Sequence, residues 1–219
     1  MRLPDFITFT GADDRTCVNW MRNIATKYPV EWGVLFSPSR QGVDQRYPGG
    51  DKQSELAWSG LRLAAHLCGG HARYVMGEGE KTRIPVDLGY WQRVQVNHVA
   101  PDGRCIARFC HSWGTKGIAQ ARGDTFPADA SVEWLYDRSG GNGVAPKTWP
   151  KHPGRGRVGY AGGINPDNVL DVLRAINCDG PYWIDMETGV RDAADWFDLD
   201  KVQRVCELVY GAATGDSND

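Results

Sequence analysis

The sequence has no Cys-x-x-Cys pair, and no cysteine stands beside a histidine at zinc-ligand spacing. Its six cysteines, Cys17, Cys68, Cys105, Cys110, Cys178 and Cys206, are scattered, mostly among apolar neighbours. They read as reduced thiols rather than as a disulfide framework or metal site. No apolar run approaches the roughly 20 residues needed to cross a bilayer. The start, Met1 to Ile7, carries Pro4 and Asp5 and lacks the apolar stretch of a signal peptide. Neither sign of charge dominates: 25 lysines and arginines face 27 aspartates and glutamates, a net charge of −2. That balance supplies no long-range attraction for nucleic acid or an anionic membrane. These absences predict a cytoplasmic protein with no cofactor, no metal, no nucleic-acid partner and no membrane partner; they leave the oligomeric state open.

What is present suits one globular domain. The 219 residues, 41% hydrophobic and 24% charged, are enough for a full core and fall within the range of single-domain barrels. Nine tryptophans exceed what this length leads one to expect, and no function follows from their number.

Runs of strand-forming residues alternate with helical periodicity along most of the chain. Strands are predicted over 6–10, 30–36, 61–67, 93–98, 116–121, 132–137, 158–161 and 182–186. The fifth of these is weak in composition. Helices are predicted after Asp13 or Asp14 as N-cap, over 51–59, 71–76 and 103–113, from Pro166 to Ile176, and from Asp198 to Tyr210. Helical signals are poor after strands five and six. The tail, residues 211–219, is small and polar and reads as frayed. Eight strands, most with a helix behind them, predict an α/β protein: a (β/α)8 TIM barrel forming a single compact domain over 1–219. The rival, an open doubly wound sheet, usually places its phosphate glycines after the first strand.

Here glycines cluster after the last strands. Trp134-Leu135-Tyr136-Asp137 leads into Arg138-Ser139-Gly140-Gly141-Asn142-Gly143, and Val158-Gly159-Tyr160-Ala161 leads into Gly162-Gly163-Ile164-Asn165-Pro166. Tyr182-Trp183-Ile184-Asp185 leads into Met186-Glu187-Thr188-Gly189-Val190. Small residues at strand ends leave backbone N–H groups open to an anion, and a helix starting at Asn165-Pro166 would add its positive end. Gly141, Gly143, Gly162, Gly163 and Gly189, with the Thr188 hydroxyl, are therefore the candidate phosphate ligands. As a plainer alternative, the glycines are turn residues only.

At these residues the sequence resembles phosphoribosylanthranilate isomerase, a barrel of tryptophan biosynthesis. Asp137 to Gly143 is similar to that family's strand-six motif, Ala161 to Val169 to its strand-seven phosphate motif, and Asp185 to Val190 to its strand-eight segment. Gly33 to Ser39 with Arg46-Tyr47 resembles the second strand and its loop, and Gln95 to His98 loosely resembles the fourth. The resemblance implies Amadori-type isomerisation of a phosphorylated sugar derivative, with a small-molecule phosphorylated sugar as ligand and Asp137 as the acid that opens the sugar ring.

Three positions depart from the pattern. The family's first strand ends in a cysteine directly before a glycine, and that cysteine is the base; here the pair is Thr10-Gly11, and a threonine hydroxyl needs an activating base of its own. The lysine preceding that cysteine is replaced within Thr8-Phe9. Glu187 stands where the family has serine, and its carboxylate would repel a phosphate unless turned away or neutralised. Substitute bases must come from other strand ends: His66, His98, Asp185 and Glu187, with the histidines favoured because they titrate in the useful range. Each histidine also reads as a hydrogen-bonded wall residue, and Cys68 as a packed thiol. Arg40 and Arg46 are candidate clamps for a substrate carboxylate or phosphate, or else solvated loop residues. Asp185 and Glu187 are also counted among the substrate-binding candidates. The basic run Lys151 to Arg157 reads as a mobile loop covering the ligand. Two other functions remain: a diverged barrel that binds a phosphorylated metabolite or nucleotide without isomerising it, and a sugar-phosphate lyase or aldolase. No lysine on the later strand ends supports Schiff-base chemistry for the last.

Overall fold

The computed structural model describes residues 2–79, 82–138 and 143–211. Eight parallel strands close into a barrel in sequence order. They are β1 (Phe6–Thr10), β2 (Val30–Phe36), β3 (Leu63–Leu67), β4 (Arg93–Val96), β5 (Lys116–Ala121), β6 (Glu133–Tyr136), β7 (Val158–Ala161) and β8 (Tyr182–Met186). Closure is completed by β8 pairing with β1, with Phe6 opposite Trp183 and Thr8 opposite Asp185. The predicted (β/α)8 barrel is the observed fold, and the weak fifth strand forms over its full predicted length.

Side chains alternate along each strand, and the two faces carry different chemistry. The outward phase is apolar: Ile7 and Phe9, Val94 and Val96, Tyr182 and Ile184 join the main core beneath the helices. The inward phase is layered. At the N-terminal end of the barrel, the Arg93 guanidinium pairs with Glu31 and, at 2.7 Å, with Glu133. Packed against this pair is a small apolar cluster of Phe6, Ile118, Leu135 and Trp183. The Phe6 and Trp183 rings stack with centroids 6.0 Å apart, and Arg93 lies 4.2 Å from the Trp183 ring centroid. Polar residues then occupy the C-terminal mouth.

Six helices flank the barrel: α1 (Val18–Ala25), α2 (Gly50–Ala57), α3 (Gly70–Val75), α4 (Gly103–Ser112), α5 (Val169–Ile176) and α6 (Leu199–Tyr210). Asp102 and Asp198 cap α4 and α6 through their side chains, each accepting two backbone N–H bonds of the first turn. Neither Asp13 nor Asp14 caps α1. The N-cap is Cys17, and Asp13 is buried, bonding Thr16 and pairing with Arg191 at 3.2 Å. The helix predicted from Pro166 begins at Val169, because Asn165 Oδ1 accepts from the N–H groups of Asp167 and Asn168 and holds that stretch as a turn.

Among the described residues no helix follows β5 or β6. Aromatic rings cover the barrel there instead. Phe126 meets Tyr160 edge-on at 5.4 Å, while Trp149 lies 5.9 Å from Tyr136 and 6.0 Å from Tyr160. Part of the surplus of large aromatics is thereby accounted for: a ring buries as much area as a short helical face with far less chain.

The basic run 151–157 does not cover the mouth. Arg157 pairs with Asp5 at 3.1 Å and Glu133 at 3.4 Å, and His152 bonds the Pro181 carbonyl, all at the N-terminal end of the barrel. The tail beyond Gly211 lies outside the described residues. No helix among them is long and apolar enough to cross a membrane, and no acidic, histidine or cysteine cluster among them fits a metal.

Candidate active site

A cavity of about 180 Å3 opens at the C-terminal end of the strands. Strand parity decides which side chains reach it. On β1 and β8 the inward phase ends at Thr10 and Asp185, on β3 at His66, and just beyond β6 at Asp137; all four line the cavity. Glu187, two residues past Asp185, keeps the same phase and lines it too. On β4 the inward residues are Gln95 and Asn97, and His98 falls on the opposite phase. Its imidazole bonds Glu78 at 3.1 Å and the Ala100 carbonyl at 3.1 Å, and it does not reach the cavity. His98 is therefore not a candidate base.

His66 is inside but is held neutral. Burial is the main cause, and it drives the imidazole down to about 3, against a smaller opposing effect from Glu31. A group with so little proton affinity is a poor base at neutral pH. Asp185 shows the reverse. Burial pushes its carboxyl up to about 8, although Thr10 Oγ donates a 2.9 Å hydrogen bond to it. Thr10 thus acts on Asp185 and not as a base. Gly33, across from Thr10, leaves the room for this: a methyl there would stand 2.3 Å from the Thr10 hydroxyl. Asp137 is almost fully buried at the end of β6, and Gln120 donates to it over 3.4 Å.

The loops after β6, β7 and β8 meet over one side of the mouth. A methyl on Gly143 would lie 3.3 Å from Thr188, and one on Gly163 would lie 2.6 Å from the Ala145 nitrogen. Gly163 also holds a φ of +63°, which favours glycine. Among the described residues the N–H groups of Gly162 and Gly163 donate to no protein acceptor. Gly143, Gly162, Gly163, Thr188 and Gly189 all line the cavity, whereas Gly141 lies outside the described residues.

Arg40 and Arg46 do not line it. Arg46 bridges Glu187 and Asp195, both at 2.7 Å, and Arg40 stands in the exposed loop, 4.0 Å from Asp44. The ion pair answers the electrostatic difficulty at Glu187. Burial raises the Glu187 carboxyl and Arg46 opposes it, neutralising a charge that would face a bound phosphate. Cys68 is a packed thiol, raised by burial and accepting from the Asn97 amide at 3.2 Å. Four polar lining residues were missed from the sequence: Gln95, Asn97, Gln120 and Arg122. Extending the period-two phase of β4 and β5 by one residue would have found them.

No protein-family model matches the chain, and no curated protein matches it. Solved structures do. TrpF from Jonesia denitrificans is similar with a TM-score of 0.64 at 14% identity, over 95% of this chain and 98% of that one. A phosphoribosylanthranilate isomerase in complex with reduced 1-(o-carboxyphenylamino)-1-deoxyribulose 5-phosphate gives 0.57 at 11% identity, over 96% and 100%. A truncated 3-deoxy-D-arabino-heptulosonate 7-phosphate synthase from Thermotoga maritima gives 0.56 at 10% identity, over 96% and 87%. At such identities the likeness is one of fold, and two chemistries share it.

Proposed function

We propose that this barrel isomerises a phosphorylated sugar derivative by an Amadori-type rearrangement, as the phosphoribosylanthranilate isomerases it resembles do. One observation carries the reading: two buried carboxyls, Asp137 and Asp185, line one small cavity beside unspent backbone N–H groups. Phosphate would take the N–H groups of Gly162 and Gly163, with the Thr188 hydroxyl and Gly189 beside them.

In this scheme Asp137 gives its proton to the ring oxygen. The ring C–O bond breaks, and the anomeric nitrogen's lone pair forms an iminium. Asp185 then takes the proton from the neighbouring carbon, whose C–H electrons neutralise the iminium and leave an enol-amine. Tautomerisation gives the amino-ketose, and the proton returns to Asp137, so no atom is gained or lost. The family's base is a cysteine, and a free thiol titrates near 8.5. A carboxyl pushed up to about 8 has nearly the same basicity, so Asp185, steadied by Thr10, replaces the missing thiol in strength. His66, neutral and buried, is a wall residue. The pathway would be tryptophan biosynthesis and the ligand a small phosphosugar.

A fluorescence assay on freshly generated phosphoribosylanthranilate tests the proposal. The wild type should turn it over, and Asp137→Asn should lower kcat by about 100-fold or more, the scale of a lost general acid. A wild type with no turnover would sink the reading.

A further inference from the structure

The N-terminal end of the barrel, opposite the mouth, carries exposed aromatic rings beside cations, and the acid–base scheme uses neither. Trp58 is 73% exposed, Tyr90 47% and Trp113 37%. Trp58 caps the C-terminus of α2, Tyr90 closes a 3-10 turn at Leu88–Tyr90, and Trp113 caps the C-terminus of α4. The three rings therefore stand just before β3, β4 and β5, which are neighbours in the barrel. The ring centroids of Trp58 and Tyr90 are 4.9 Å apart. Large apolar groups left exposed together mark a contact surface. A hollow of about 690 Å3 adjoins them: Gly60, Gly89 and Gly114, each next to or near one of the rings in the chain, line it with Arg62, Lys116 and Arg157.

Lys116 and Arg157 also line a second hollow, of about 750 Å3, on the outer face where β5 and β6 have no helix behind them among the described residues. Arg104 and Arg108, one turn apart on α4, and Arg155 complete its cationic lining. Its carboxylates are Asp129 and Glu133, and Glu133 is already taken by Arg93 and Arg157. Arg108 donates to Cys105 Sγ at 3.4 Å, and neither it nor Lys116 enters an ion pair among the described residues. The net charge of −2 thus conceals a cationic track, and residues far apart in sequence set the rings beside it. A cationic groove follows a phosphate backbone, and exposed rings take bases, which single strands leave free to stack. An acidic polypeptide would satisfy the cations and leave the rings without a role. From this juxtaposition we infer that the N-terminal end of the barrel binds single-stranded nucleic acid, with bases stacking on Trp58 and Tyr90 and phosphates running along Lys116 and Arg108. None of these residues lines the mouth, so the inference stands apart from the isomerase reading.

Fluorescence anisotropy on the whole chain tests it. The probes are labelled oligothymidylate and oligouridylate of about 12 nucleotides, with labelled poly-L-glutamate as a polyanion that has no bases. At about 50 mM salt the wild type should bind at least one oligonucleotide more tightly than polyglutamate. Trp58→Ala should weaken that binding about 5- to 150-fold, the worth of one stacked base, and leave polyglutamate unchanged. Trp58→Phe should restore most of the loss. Arg108→Gln with Lys116→Gln should weaken both probes and reduce the slope of log affinity against log salt by about 1.4, the share of two phosphate contacts. Trp58, Arg108 and Lys116 are exposed, so all the variants should keep the wild-type urea midpoint. A preference between the oligonucleotides supports the inference and tells DNA from RNA as the ligand. No oligonucleotide binding, or binding that Trp58→Ala leaves unmoved, overturns it. Polyglutamate bound as tightly as either oligonucleotide also overturns it and marks the track as a surface for an acidic protein.

Discussion

In the proposed scheme the chemistry turns on Asp185, and its environment makes opposite demands on activity and stability. A base that titrates at about 8 should give a kcat/KM that climbs with pH and levels off above 8. Stability runs the other way. The folded carboxyl keeps a proton that the unfolded chain releases near its ordinary 3.8, so its contribution is full below that value and is lost as pH rises through 8. His66 offsets part of this: with its imidazole pushed down to about 3, its contribution is full above its ordinary 6.5 and is lost as pH falls. From roughly 4 to 6.5 the two slopes cancel, and above 6.5 Asp185 acts alone. Asp185→Asn should therefore lower kcat by about 100-fold or more while removing the fall in stability above pH 6.5. At pH 8 the variant should gain on the order of a few kcal/mol. Urea melts at pH 6 and 8 beside a pH–rate profile measure both. A wild-type rate that declines between pH 7 and 8 would show that Asp185 is not the base.

The elements were legible because a barrel strand needs little more than a short apolar run ending in small residues. Lys116 to Ala121 and Val158 to Ala161 met that condition and form as expected. Local preference failed where tertiary partners claimed a side chain. Asp13 had the right position for a cap, but Arg191 and the Phe197 N–H take its carboxylate. His98 failed on phase alone. The contact of the loop after β2 with the loop after β8 could not be read at all, since it joins residues about 150 positions apart. Gln45 donates to the carbonyls of Ala194 and Asp195, and Arg46 grips Asp195 and Glu187. This strap both fixes the loop and offsets the Glu187 charge beside the proposed phosphate site. Arg46→Met should cost about 1–3 kcal/mol of stability and raise KM by roughly tenfold through the repulsion it exposes. Adding Glu187→Gln should return KM toward the wild-type value without restoring the stability. If the second substitution leaves KM high, the strap acts through loop geometry and not through charge.

Across the whole molecule the barrel interior carries buried ionisable groups at both ends. At the mouth burial raises the carboxyls of Asp185 and Glu187, whereas the opposite end holds a pair locked in its charged state. Burial alone would raise Glu31, but Arg93 and then Arg62 hold it below its usual range; burial opposes the Arg93 charge, which Glu31 and Glu133 restore. Phe6, Ile118, Leu135 and Trp183, with no titratable group among them, pack against this floor pair. The floor charges reach the mouth in opposite senses, Arg93 lowering the Asp185 carboxyl and Glu31 raising it, so the floor is silent at the mouth only while the two change together. Glu31→Gln, which leaves Arg93 with Glu133 alone, should cost about 1–3 kcal/mol, whereas Glu31→Leu with Arg93→Met should be nearly neutral. In the double variant the rising limb of the pH–rate profile should still level off near 8, because Arg93 lowers the Asp185 carboxyl and Glu31 raises it, and removing both together cancels the two effects. A limb displaced by a full unit would mean that the two effects do not cancel. The proton affinity of Asp185 would then belong to the whole interior rather than to its own strand end.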